Sequence, residues 1–350
     1  MKELQLSREQ EDRAMTLHER AIIADMALVG SFACPAPVVN GKSYLDRALA
    51  AGLTVAAHTL GGDLKPSFRG CLADVNLNHR LLRENPDKLL LVTRSEDFGR
   101  AKEEGKIGLV LAFQNATQLE DDWVNLLPVF YALGVRVIQP VYNEMNLLGA
   151  GCMEPNDSGL TAYGRQVVGA MNSMGIMVDL SHLGDRTSME AIEVSQDPVI
   201  VSHGNPRALN DSPRNKPDET IRAVAEKGGV ICCVAWAPLS ETQKGAPTIL
   251  DFVDHMEYVA NLVGIDHVGL GSDINEISRV VPVSHPFGDI YASMLGPYKD
   301  KLDSYPEGFS SVNDYPNLTR ALVARGYSDS DILKILGGNA LRVAAEVWDR

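Results

Sequence analysis

A (β/α)8 barrel is the fold class this sequence predicts, and three observations predict it. Eight short apolar runs recur along the chain, each bounded by turn residues. Helix-like stretches fill the intervals between most of them. Several of these stretches end at a glycine, the residue that most readily adopts the left-handed conformation closing a helix. Strand and helix in alternation, carried through eight strands, describe a parallel sheet wrapped by helices. A doubly wound open sheet is the runner-up architecture.

The eight runs fall at 21–28, 53–59, 107–113, 135–141, 176–181, 199–202, 229–235 and 267–272. Most are too short for buried helices, and several are rich in Val and Ile. Their near-continuous apolarity suits strands covered on both faces, as a parallel sheet requires. Helical patterns occupy 125–133, 161–174, 185–195, 218–227 and 249–263, and Gly134, Gly175, Gly228 and Gly264 follow four of them. A further helix is expected at about 6–20. A Pro-, Gly- and Tyr-rich stretch at about 277–312 reads as a long loop roofing the barrel mouth. With no linker, low-complexity tract or internal repeat in view, residues 1–350 read as one domain.

Bulk properties exclude several function classes. The 350 residues carry a formal net charge of −14 and no run of Lys or Arg, which argues against a nucleic-acid partner. The first twenty residues are charged rather than apolar, and no apolar run reaches the ~20 residues of a membrane span. Five cysteines without a CxxC pair indicate neither a zinc knuckle nor a disulfide framework. The expected setting is the cytoplasm, with no membrane partner.

The chemistry-bearing residues gather at strand ends. The fifth run closes with Asp179-Leu180-Ser181-His182 and the sixth with Val201-Ser202-His203. Adjacent strands lie ~4.8 Å apart, so two imidazoles at matched heights can share one ion. A lone histidine in such a place is more often a satisfied core residue. The matched Ser-His repeat, at the end of a barrel strand where catalytic groups collect, points instead to a site. Asp273 ends the eighth run on the same face, where a carboxylate can move a proton between water and a leaving nitrogen. Arg214 follows the sixth strand and suits a substrate carboxylate, although a surface ion pair would use it equally well. Tyr142 and Asn143 follow the fourth strand and face the expected pocket. His267, at the opposite end of its strand, reads as structural.

These motifs, with Gly264 to Asp273, Gly337-Gly338-Asn339 and Leu341-Arg342-Val343, resemble the membrane (renal-type) dipeptidase family of the amidohydrolase superfamily. The stretch from Gly159 through Gly164-Arg165 to Met171-Asn172 fits the same family. The resemblance runs from about the first strand onward and implies a zinc-dependent barrel that hydrolyses dipeptides or related small amides. It implies His182 and His203 as metal ligands, Asp273 as catalytic acid and base, and Arg214 as the substrate-carboxylate residue.

The first half departs from that pattern. The family's first strand ends in a His-x-Asp pair, which here matches Met26 and Leu28. Its bridging glutamate matches Gln114, placed here as a substrate-side residue, and a substrate-side histidine matches Tyr142. Asp25 cannot replace the lost ligands, because neighbouring strand residues point to opposite faces. His58, ending the second run, is a lesser candidate for compensation. The chain thus resembles a divergent bacterial-type branch with at most one zinc ion, completed by Asp273, water or substrate.

The expected function is dipeptidase-like hydrolysis by metal-activated water, on a small substrate bearing a carboxylate. Two other readings compete: an inactive family member that binds a small carboxylate ligand, and a metal-free enzyme using Asp273 and Tyr142. Barrels of this kind often dimerise, so a homodimer is also expected.

Overall fold

The structure, a computed structural model, describes residues 4–29, 32, 38–61, 66–242, 246–276 and 303–349. Among these, nine strands form one parallel sheet. They are β1 (Ala24–Leu28), β2 (Val55–Leu60), β3 (Leu89–Leu91), β4 (Ile107–Phe113), β5 (Val135–Ile138), β6 (Met177–Val178), β7 (Ile200–Val201), β8 (Val230–Cys233) and β9 (Val268–Leu270). The order is β6-β5-β4-β2-β1-β9-β8-β7, and a parallel bridge between Asp179 and Ile200 joins the two ends. An eight-stranded barrel results, each of its strands lying within or across one of the eight apolar runs.

The ninth strand is the addition. β3 pairs with the first residues of β4, Leu89 opposite Ile107 and Leu91 opposite Leu109, while the last residues of β4 pair with β5. A three-residue run carries no readable periodicity, which is why it does not stand out in the sequence.

Period-2 alternation sorts the strand residues into two layers. Met26, Ala57, Val110, Val137, Met177 and Cys232 share an inner cluster, and the intervening residues such as Leu109, Leu111, Ile231 and Cys233 pack outward. The inner cluster is extended by the helix Asn339–Trp348, which supplies Ala340, Val343, Ala344 and Val347 and touches β1, β6, β8 and β9. It sits at the end where the strands begin. Gly175, left-handed at φ 69° just before β6, leaves room for it: a Cβ there would stand 2.9 Å from the Val347 carbonyl.

The expected helices form at Arg8–Arg20, Trp123–Ala132, Ala162–Met174, Asp185–Val194, Asp218–Glu226 and Ile249–Val263. Ser7 and Gln10 make a reciprocal capping box on the first of these. Most of the anticipated long loop, residues 277–302, lies outside the described residues. Its flanks are fastened to the barrel: Arg47 pairs with Glu276 at 2.5 Å, and Ser311 Oγ and the Val312 amide donate to the same carboxylate at 2.8 and 3.0 Å. Among the described residues, no helix is long and apolar enough to cross a membrane.

Candidate active site

The matched Ser-His repeat becomes a matched contact. Ser181 Oγ and Ser202 Oγ lie 3.0 Å apart, and one residue further on His182 Nε2 and His203 Nε2 also lie 3.0 Å apart. The Asp179–Ile200 bridge sets this equal height, since it puts the last turns of β6 and β7 in register.

Asp179 organises the pair. Its Oδ1 accepts from the Ser181 amide and hydroxyl at 3.0 and 2.6 Å, and from the Ser202 amide at 2.9 Å. Its Oδ2 accepts from Ser202 Oγ at 2.6 Å. With both hydroxyl protons committed to the carboxylate, Ser202 Oγ is left to accept from His203 Nδ1 at 2.7 Å. His182 Nδ1 donates to Asn143 Oδ1 at 2.6 Å, an oxygen that the Cys152 thiol also approaches at 3.4 Å. Each imidazole therefore carries its proton on Nδ1 and presents a bare Nε2 toward the other.

Both rings are buried, and burial drives them well below the ordinary histidine value. The Arg214 guanidinium pushes both in the same direction. They are neutral near pH 7. Two lone pairs 3.0 Å apart repel, and a shared cation removes the repulsion. Two Zn–N bonds of ~2.0–2.1 Å span such a separation.

Asp273 follows β9 in the left-handed region at φ 57°, an uncommon conformation for a residue with a side chain. Its amide donates to the Ala27 carbonyl at 2.8 Å, and its own carbonyl accepts from Tyr305 Oη at 2.8 Å. Desolvation pushes its carboxyl up to about 7, Arg214 opposing and Asp25 adding to the rise. Gly271, two residues earlier, passes so close to the Ser202 carbonyl that a Cβ would overlap it.

Arg214 is buried, and its two terminal nitrogens donate to the carbonyls of Ser181 and, at 2.9 Å, His203. The Tyr142 ring stacks on His182 at 4.0 Å between centroids. Asn143, one residue on, is the partner of His182 already described, and its Nδ2 is buried without a partner among the described residues. Gln114 stands apart on the β4 side, with Nε2 donating to Thr59 Oγ1 at 3.1 Å and its carbonyl accepting from Gln139 Nε2 at 2.5 Å.

The first-strand positions offer nothing to a cation. Met26 packs in the inner cluster and Leu28 in the outer one, the register shifting between Asp25 and Leu28. Asp25 faces the helices, as alternation requires: its Oδ2 accepts from Tyr315 Oη at 2.7 Å and its Oδ1 from the Ser272 amide at 2.9 Å. His58 does not join the pair. Its Nδ1 lies 2.8 Å from Asn78 Oδ1, and its Nε2 accepts from the Phe32 amide at 3.3 Å. His267 bonds the Gly229 carbonyl at the far end of its strand.

Among the described residues, no three His, Cys, Asp or Glu side chains converge as a ligand set, so the structure does not group Asp273 with the histidines as a third ligand. The donors fit one ion held by two imidazoles and do not fit a binuclear centre. Residue-by-residue reading of the sequence also passed over two contributors. Asp179 was visible in the Asp-x-Ser-His run, but Cys152 carries no sequence signal that separates it from an ordinary loop residue.

Comparison with known proteins agrees with this architecture. The model of the membrane dipeptidase family (peptidase family M19) matches residues 44–286 and 287–349. Dipeptidase tcpJ of Claviceps purpurea is 30% identical over 287 residues, which are 81% of this chain and 61% of that protein. The chain thus spans about three-fifths of the length of that relative. An amidohydrolase from Pseudomonas aeruginosa superposes with a TM-score of 0.84 at 33% identity, covering 96% of this chain and 99% of the other. A metallopeptidase from Rhodobacter sphaeroides, liganded with a phosphinate mimic of L-Ala-D-Ala, shares the fold with a TM-score of 0.73 at 20% identity, covering 89% and 92%. On the family match across most of its length, the chain belongs to the membrane dipeptidase family, peptidase family M19.

Proposed function

We propose that this protein is a dipeptidase-type hydrolase that works with one zinc ion, held by His182 and His203. The observation that carries the proposal is the pair of bare Nε2 atoms facing each other at 3.0 Å, each fixed by a hydrogen bond on its Nδ1. Zinc suits neutral imidazoles, and when bound it supplies Lewis-acid activation of water and of an amide carbonyl.

The chain's own residues supply the rest. Asp273, with its carboxyl near 7, can take a proton from the attacking water and return it to the leaving nitrogen. Arg214 uses two of its five N–H groups on backbone carbonyls, and its remaining donors suit the carboxylate of a small substrate. Tyr142 covers the outer face of His182 and limits its access to water. The substrate class is a dipeptide or a related small amide with a free carboxylate, acted on in the cytoplasm.

Metal analysis of untagged protein, combined with a dipeptide screen that includes C-terminal D-residues, tests the proposal. About one equivalent of zinc and chelator-sensitive hydrolysis are expected. Below about 0.2 equivalents, with activity unchanged by chelator, the metallohydrolase reading fails. The absence of a third converging ligand among the described residues favours one competing reading, an inactive family member that binds a small carboxylate ligand. That reading predicts carboxylate binding without turnover in the same experiment.

A further inference from the structure

Two buried basic side chains stand directly behind the histidine pair, two residues apart in one segment. Arg214 and Lys216 are each 1% exposed. Arg214 donates to the Ser181 and His203 carbonyls, and Lys216 Nζ donates to the Leu183 carbonyl at 2.7 Å and to Ser188 Oγ at 3.3 Å. The three carbonyls have a common property: those of Ser181 and Leu183 belong to the residues on either side of His182, and the third belongs to His203 itself. The Lys216 amide is in turn fixed on the Asn205 carbonyl at 2.9 Å, and the Arg207 amide donates to the Lys216 carbonyl at the same distance. The segment is therefore held as a second layer behind the ends of β6 and β7.

Burying an ammonium group away from water costs several kcal/mol unless it is well bonded. The Lys216 amine faces a carbonyl and a hydroxyl, with no carboxylate within ion-pair distance among the described residues. Burial and the neighbouring Arg214 lower its affinity for a proton to about 7. A methionine or leucine would fill the same volume without that penalty. The amine contributes what they cannot, a donor aimed at the backbone next to His182.

We infer that Lys216 is a positioning residue, acting with Arg214 to hold the peptide units that set the height and separation of the two imidazoles. This rests on the metal reading above for its affinity, spectral and kinetic readouts, while the imidazole resonances test it independently. Arg214 thereby has a structural duty besides any contact with substrate, and Lys216 has no other.

The test is Lys216→Met in the full-length protein, followed by titration with cobalt(II) and zinc. Partners of this outer kind typically contribute 10- to 100-fold to metal affinity. The expected result is an affinity loss of at least about tenfold, a changed cobalt absorption spectrum, and a lower kcat with KM nearly unchanged for both a dipeptide and its C-terminal amide. Lys216→Arg, which keeps a cationic donor, should retain affinity within about threefold. An unchanged affinity and spectrum in Lys216→Met would overturn the inference. So would an equal loss in both variants, which would make the effect one of packing. If Lys216→Met does not fold, Ser188→Ala removes the amine's second partner, and an affinity lowered about twofold is expected; no change would overturn the idea. Should the wild-type protein bind no metal, the metal reading falls separately. The inference is then read from the ring nitrogen resonances of His182 and His203, which Lys216→Met must shift for it to stand.

Discussion

The two halves of the barrel mouth are built on opposite principles. At the ends of β6 and β7, one carboxylate, two hydroxyls and two imidazoles form a closed network in which each proton has an assigned acceptor. At the ends of β1, β2 and β4, the corresponding places hold a thioether, an isobutyl group, a hydrogen-bonded histidine and a neutral amide. On the function proposed above, the first arrangement would hold a cation-binding geometry in advance. The second satisfies itself internally and asks nothing of a metal. Packing and amide hydrogen bonds fill the positions where the family resemblance places an Asp, a Glu and a His.

That contrast is breakable. The largest effect is expected for His203→Ala, which should remove bound metal and lower turnover to background, on the order of a 10³-fold loss. Turnover surviving that substitution would remove the second half from the chemistry. Asp273→Asn should cost ~10²-fold in kcat while leaving metal content intact, since it removes proton transfer alone. In the wild type, kcat/KM should rise with pH through about 7 as this carboxyl loses its proton, and the variant should lose that limb.

Asp179→Asn comes next. It keeps the shape but leaves two hydroxyl and two amide donors facing a group that accepts less strongly. A loss of ~10- to 100-fold in metal affinity is expected, with a drop in stability of ~1–3 kcal/mol measured by denaturant titration. The first half can be tested in the same way. Met26→His, Leu28→Asp and Gln114→Glu together should leave bound metal at one equivalent, because Leu28 packs in the outer cluster; a rise toward two would mean that ligand identity alone separates the halves. The smallest effect is expected for Gln114→Glu by itself, which should leave stoichiometry at one and kcat/KM within about threefold. A large gain or loss there would mean that this amide already takes part in catalysis.

Much of this was legible in the sequence because strand ends act as rulers. An apolar run ending in Ser-His places a histidine at a known height, and two adjacent runs ending alike place two. Asp25 facing the helices followed from alternation in the same way. What alternation cannot foresee is a register shift, and the one between Asp25 and Leu28 separated Leu28 from Met26. Nor can it rank a loop lysine: Lys216 reads as a surface residue until the chain folds it behind the Leu183 carbonyl. Arg214 was recognisable as important, but its bonds to two backbone carbonyls depend on tertiary contacts between segments more than ten residues apart. β3 escaped for the simpler reason that three residues cannot show a period.

The helix Asn339–Trp348 has a consequence for the order in which the protein assembles. The inner cluster draws on β1 near one end of the sequence and on this helix near the other, and β1 also pairs with β9. Such distant pairings are slow to find, since a long loop must be closed before any contact rewards it. During synthesis, then, the barrel's interior cannot close until the helix Asn339–Trp348, far behind β1 in the chain, has left the ribosome. Until that moment the ends of β6 and β7 hang from an unfinished cylinder, and the nascent chain has exposed apolar strands for chaperones to guard.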